Sequence, residues 1–259
     1  MSYKIIAVHL DHAPPLAATV ALAADIAIAQ GAHVIGIVAA SAHTQAHEQA
    51  PEAFLVFGGA MRRAGVASFE TRLMEGDPAS SLSLTGRYCD LMILGRREAD
   101  DPEFGTHADF CEFIALNCAC PVLVAPAAAP TPGLPRRPLI AWNGSGIAAK
   151  AVRAALPLLH GARQATVAVI NAPVGLPSRE TDPGAAIALY LRHHGVSADV
   201  VRQTVDADAG HALLALAETL HCDLLVLGSN AHPHFDDVLH QGATRTVLET
   251  GKIGALLYR

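Results

Sequence analysis

Three segments of this chain occur twice, in the same order and at one spacing, and that repeat constrains the fold more than any single motif. Ile6-Ala-Val-His-Leu-Asp11 returns as Pro138-Leu-Ile-Ala-Trp-Asn143, Asp90-Leu-Met-Ile-Leu-Gly95 as Asp223-Leu-Leu-Val-Leu-Gly228, and Pro121-Val-Leu-Val124 as Gly254-Ala-Leu-Leu257. The offset is 132 or 133 positions each time (11 to 143, 95 to 228, 121 to 254). Solenoid repeats run roughly 20–50 residues, so a period this long is a duplicated domain. The proline-rich stretch from Ala127 to Arg137 can continue neither a helix nor a central strand. The expected division is therefore a domain over residues 1–127, a linker over 128–137 and a second domain over 138–259.

Within each half, short aliphatic runs alternate with segments of helical period. In the first half, strands are expected at Lys4–His9, His33–Ala39, Ser68–Met74, Leu91–Leu94 and Val122–Ala125. Helices are expected over Pro14–Gln30, somewhere in Ala50–Ala64, from Pro78 to about Tyr88 and over Ala108–Asn117, with Asp77-Pro78 in the form of an N-cap followed by proline at the first helical position. The second half follows the same plan, with strands near Leu139–Trp142, Thr166–Ile170, Asp199–Thr204, Leu224–Leu227 and Ala255–Tyr258. Its helices are expected near Ile147–Leu159, Pro183–His194, Ala209–Leu220 and Ala243–Glu249. Such alternation implies right-handed crossovers and a parallel sheet with helices on both faces, so each half is expected to be a doubly wound α/β domain. Ligands of such sheets sit beyond the strand C-termini where strand order reverses. Ala141–Ser145 and Gly228–Gly242 are thus expected to face each other across one crevice.

Composition removes several classes of partner. The net charge is -6 and the basic residues are scattered, so no footprint for nucleic acid or an anionic membrane is visible. No apolar run approaches the roughly 20 residues of a membrane-spanning helix, and Met1 leads directly into a strand rather than through a signal peptide. Five cysteines, an odd number set mostly in apolar patterns, suit reduced core thiols, and the expected location is cytoplasmic.

These residues resemble a tandem universal stress protein over nearly the whole length. Leu139-Ile-Ala-Trp-Asn-Gly-Ser145 resembles the strand-one opening V-A-W-D-G-S of that family. Gly228-x-x-Ala231, nine residues, then Gln241-Gly242-Ala-Thr-Arg245 resembles its nucleotide-binding signature G-x2-G-x9-G-[ST] in the variant ending G-G-V-T-R. The resemblance implies two five-stranded parallel sheets of order 3-2-1-4-5, a stress-response role, and a cofactor, ATP or another adenine nucleotide, in the second half. The residues that it implies around the nucleotide are Ala141, Trp142, Asn143, Gly228, Asn230, Ala231, Gln241, Gly242, Ala243 and Thr244. It also implies pairing through the last strands, either between the two halves as an intramolecular pseudo-dimer or between two chains as a homodimer.

The match has gaps with physical consequences. Ala231 stands for the second glycine, and at positive φ its Cβ would cost about 1 kcal/mol or more. Gln241 puts a long side chain where bare backbone is expected, and Asn143 replaces an acid, keeping an acceptor oxygen without the charge. A few kcal/mol would be enough to take a micromolar ligand to millimolar. The first half departs further: it keeps Asp11, but Gly95 is followed by Arg96-Arg-Glu-Ala-Asp-Asp-Pro-Glu103 with no glycine pair before Thr106. Arg96 and Arg97 read as a solvated, salt-bridged surface pair, and the first half as a non-binding partner domain.

Other constellations carry less. His232, His234 and His240 with Asp236 and Asp237 share one loop and read as exposed side chains, so no metal is expected. Cys118-x-Cys120 lacks a two-residue gap and a matched second pair, and reads as core thiols. Ser145 has no G-x-S-x-G elbow, and a P-loop is absent, so no catalytic residue is assigned. Two classes of function follow: a non-enzymatic protein that responds to an adenine nucleotide, or a ligand-free interaction and dimerisation protein. Slow ATP hydrolysis, a third, would need a water-orienting group and a metal site that the sequence does not identify.

Overall fold

The structure is a computed structural model that describes residues 2–11, 16–40, 45–96, 104–126, 133–171, 183–206, 208–229 and 242–259. The chain divides between Leu134 and Pro135 into two units. The first contains β1 (Ile5–His9), α1 (Leu16–Gln30), β2 (His33–Ala40), α2 (Gln45–Ala64), β3 (Phe69–Glu75), α3 (Pro78–Thr85), a 3-10 turn at Gly86–Tyr88, β4 (Leu91–Leu94), α4 (Phe104–Asn117) and β5 (Val122–Val124). The second contains β6 (Pro138–Ala141), α5 (Gly146–Leu159), β7 (Ala165–Ile170), α6 (Pro183–His193), β8 (Ala198–Gln203), α7 (Ala209–Thr219), β9 (Leu224–Gly228), α8 (Ala243–Thr250) and β10 (Gly254–Tyr258).

Every strand pairing inside a unit is parallel. The first unit runs β3-β2-β1-β4-β5 and the second β8-β7-β6-β9-β10, so each has the order 3-2-1-4-5 in its own numbering. The registers repeat as well: Ile6 pairs with Leu91 in the first unit, and Pro138 with Leu224 in the second. Helices cover both faces, α1 packing with α2 and α3 with α4 in the first unit. This explains why the central strands are aliphatic throughout: all four residues of β4 are buried, as are Leu224–Leu227 of β9. The outer strand β3 is different, with Glu70, Arg72 and Glu75 along a largely exposed run, and charges of that kind discourage pairing with a further strand.

A duplicated aspartate fixes the start of the first strand in both units. Asp90 accepts hydrogen bonds from the N–H groups of Lys4 and Ile5 at 2.7 and 2.9 Å, and Asp223 accepts from those of Arg136 and Arg137 at 2.7 and 3.0 Å. The last residues before β6 therefore belong to the second unit. Helix starts are equally explicit. Asp77 caps α3 by accepting from Ser80 N at 2.8 Å, Ser145 caps α5 by accepting from Ala148 N at 3.1 Å, and Asp208 caps α7 by accepting from His211 N at 3.1 Å.

Two helices begin earlier than the sequence suggests. α2 starts at Gln45 and runs through Pro51, because Ala50, Ala53, Phe57 and Met61 bury one continuous stripe that outweighs the backbone hydrogen bond the proline cannot make. α4 starts at Phe104, four residues before the first position of the apolar pattern used to place it.

Candidate functional site

The second unit's crevice lies where β6 and β9 end side by side. Ala141, Trp142 and Asn143 leave β6, Gly228 ends β9, and Ala243 opens α8; all five line one cavity of about 140 Å³. Ser145, Ala148, Ala168, Ile170, Ala209, Leu213 and Leu227 complete its wall. Of these seven, only Ser145, the end of the Ala141–Ser145 segment expected at the crevice, is named by the sequence reading. The signal that could have found the others is the run of small residues at the C-terminal ends of β6 and β7 and at the capped start of α7, where a large side chain would close the space. Gly242 is the exposed N-cap of α8, and Thr244 is buried in its first turn. Asn230, Ala231 and Gln241 lie outside the described residues, as do the loop histidines His232, His234 and His240 with Asp236 and Asp237.

The two described glycines of the signature differ in what they do. A Cβ on Gly228 would stand 2.7 Å from Ile147 Cγ2, 3.0 Å from Ala148 N and 3.0 Å from the Ile147 carbonyl carbon. Gly228 is therefore required by the contact of β9 with the start of α5, with no appeal to a ligand. A Cβ on Gly242 would meet nothing within 4 Å among the described residues, and its φ of -57° suits any residue. Nothing described in the protein demands glycine there. Gly242 also supplies no side chain to cap α8, and the N–H groups of Ala243 and Thr244 find no acceptor among the described residues. Such uncommitted donors, aligned with the helix dipole, favour an anion or a carbonyl oxygen.

Asn143 is oriented by its own turn. Its Oδ1 accepts from Ser145 N at 3.1 Å, and Ser145 in turn caps α5. The amide nitrogen has no partner among the described residues, so Asn143 keeps a donor free where an aspartate, as in the signature that the sequence resembles, would offer only acceptors. Trp142 N donates to Ala168 O at 2.9 Å, which ties the rim of the crevice to β7. Ser229, 1% exposed just past β9, has its N–H bonded to Tyr258 O at 2.8 Å, while its hydroxyl is buried with no partner among the described residues.

The first unit carries large side chains at the corresponding positions. By the repeat offset and the shared registers, His9 stands for Ala141, Arg96 for Ser229 and Phe110 for Ala243. His9 and Arg96 are buried, and the His9 and Phe110 rings meet with centroids 5.5 Å apart. Arg96 thus overturns the expectation of a solvated surface pair: it is 4% exposed. Burial pulls its guanidinium below the usual arginine range, against an opposing effect of Cys111, and burial pushes the Cys111 thiol up to about 12. The acidic residues after Arg96 suggest a charged surface, but Arg96 is buried close enough to Cys111 of α4 to interact with it. Arg97 lies outside the described residues.

Comparison with known proteins adds the class. No protein-family model and no curated protein sequence matches the chain. Among solved structures, a universal stress protein from Archaeoglobus fulgidus DSM 4304 matches with a TM-score of 0.78 at 14% identity, covering 99% of this chain and 96% of that one. A functionally unknown protein from Pseudomonas aeruginosa PAO1 matches with a TM-score of 0.67 at 16% identity, covering 99% and 92%. The fold is a tandem pair of doubly wound α/β units. More narrowly, it is the universal stress protein fold, shared at identities where side chains have diverged and the backbone path has not. Among the described residues no helix is long and apolar enough to cross a membrane.

Proposed function

We propose that this chain acts as a universal stress protein whose second unit binds an adenine nucleotide in the β6/β9 crevice and responds to it without catalysis. The observation that carries the reading is the convergence of Ala141, Trp142, Asn143, Gly228 and Ala243 on one cavity beside the uncommitted start of α8. At about 140 Å³ the cavity is close to the roughly 150 Å³ that accommodates one benzene-sized ring. That space takes one ring of the bicyclic base, with the second ring at its open mouth. Ribose and phosphates then lie outside it, along Gly242 and the N–H groups of Ala243 and Thr244, where a side chain at 242 would intrude. The Asn143 amide donates to a ring nitrogen or a ribose oxygen. Asn230, Ala231 and Gln241 belong to the proposed site through the resemblance alone.

The first unit serves as a partner domain, with His9, Arg96 and Phe110 standing where a base would enter. The second reading, an interaction protein without ligand, is favoured by one observation: Gly228, the best-kept glycine of the signature, is explained by packing. A thermal-shift titration with ATP, ADP, AMP and adenosine separates the two. Ligand at a hundred times its dissociation constant adds about 2.7 kcal/mol, and the melting temperature rises by several degrees. No rise at millimolar concentration of any of the four ends the nucleotide reading in favour of the interaction protein.

A further inference from the structure

The first unit gathers three of its cysteines at the N-terminal ends of β4 and β5. Cys89 follows the 3-10 turn that leads into β4, Cys118 follows α4, and Cys120 precedes β5. Cys118 and Cys120 are 7% and 4% exposed, and their sulfurs lie 3.5 Å apart, in hydrogen-bonding contact. Both face the backbone of Gly86, where an added Cβ would stand 2.0 Å from Cys118 Sγ and 3.4 Å from Cys120 Sγ. Any other residue at 86 would displace the pair.

We propose that Cys118 and Cys120 are a peroxide-responsive dithiol that closes to a reversible disulfide. A disulfide is about 2.05 Å long, so the sulfurs must approach by about 1.5 Å, shared between two side chains on either side of the bend at Ala119. The environment separates their roles. The hydrogen bond from the Cys120 thiol, helped by the N–H groups of Cys120 and Ala119 and opposed by burial, holds the Cys118 thiol below its ordinary range, whereas Cys120 is pushed up. Burial pushes Cys89 up to about 11 and Cys111 up to about 12, which leaves both as poorly reactive thiols.

The chemistry balances with a hydroperoxide as oxidant. Cys118 thiolate attacks one peroxide oxygen and the O–O bond breaks; the departing oxygen takes a proton and leaves as water (or the alcohol), giving a sulfenic acid. Cys120 sulfur then attacks Cys118 sulfur, the S–O bond breaks, and the leaving hydroxide takes the Cys120 proton as a second water. Two thiols have lost two electrons and two protons to one peroxide. The small ring that closes is strained, which keeps the bond within reach of ordinary thiol reductants.

The test uses the folded full-length chain and an equimolar amount of hydrogen peroxide at neutral pH, quenched by alkylation and read by intact mass and non-reducing peptide mapping. The expected result is the loss of two hydrogens in the majority of chains, a Cys118–Cys120 cross-link, and full reversal by dithiothreitol. Cys89→Ser leaves that result unchanged, and Cys120→Ser stops at a sulfenic acid on Cys118 that dimedone traps. Failure to lose two hydrogens, progression of Cys118 to sulfinic acid in the unmodified chain, or a cross-link from Cys89 to Cys118 would each overturn the proposal. Mapping of the unmodified chain decides the matter even if a variant does not fold.

Discussion

Replacing Gly228 by alanine tests whether this glycine is a packing requirement. The added Cβ would meet Ile147 Cγ2 at 2.7 Å and two backbone atoms of α5, Ala148 N and the Ile147 carbonyl carbon, at 3.0 Å. Favourable contacts between carbon atoms lie near 3.5–4.0 Å, so the overlap is roughly 0.5–1 Å. Ile147 can rotate away, but the backbone atoms cannot, and the start of α5 must move off β9. Overpacking of this kind costs about 1–3 kcal/mol. Alanine returns about 0.4–1 kcal/mol by stiffening the unfolded chain, leaving a net loss centred on about 1.3 kcal/mol. Urea unfolding followed by the fluorescence of Trp142, the chain's only tryptophan, reads the second unit directly. With a slope near 2 kcal/mol/M the midpoint falls by roughly 0.5–1 M. A fall below about 0.2 M, with the slope unchanged, would refute the claim that β9 and α5 demand glycine here.

Other substitutions separate stability from binding. Gly242→Leu changes the stability of the second unit by less than about 1 kcal/mol, because nothing described lies within 4 Å of its Cβ, yet it abolishes the nucleotide-induced thermal shift; an undiminished shift places the site elsewhere. Asp77→Ala removes the α3 cap and costs about 0.5–2 kcal/mol by denaturant melt. The Ser80 N–H, followed by the Ser80 side chain, holds the Asp77 carboxyl below its usual range. Its contribution is therefore complete above the unfolded value near pH 4 and is lost as pH falls through the lower folded value, a dependence that Asp77→Asn should lack.

The parts of the fold that could be read in the sequence are those set by local physics. Leu91–Leu94 and Leu224–Leu227 could be read because a strand buried on both faces must be aliphatic throughout, and Asp77-Pro78 because a cap and a fixed φ are properties of two residues. The start of α2 could not be read, since a proline that locally argues for a helix terminus is overridden by the stripe from Ala50 to Met61. Arg96 was misplaced for a related reason: its neighbours in sequence are acidic and suggest solvent, whereas its neighbours in space, Cys111 among them, belong to the helix layer. The crevice was half legible. Ala141–Asn143, Gly228 and Ala243 announce themselves as strand ends and a helix start. Ala168, Ala209 and Leu213 come from other elements, and only the sheet order brings them to the same cavity.

The most direct test of the central claim is a titration of the intact chain with ATP, ADP and AMP while the fluorescence of Trp142 is recorded. Trp142 lines the crevice of the second unit, and the first unit has no tryptophan to contribute. Saturable quenching or a spectral shift is predicted, and it should disappear in Ala168→Leu, which puts a larger side chain into the cavity lining. Emission that stays constant through millimolar nucleotide, or a response that survives Ala168→Leu unchanged, would contradict the account.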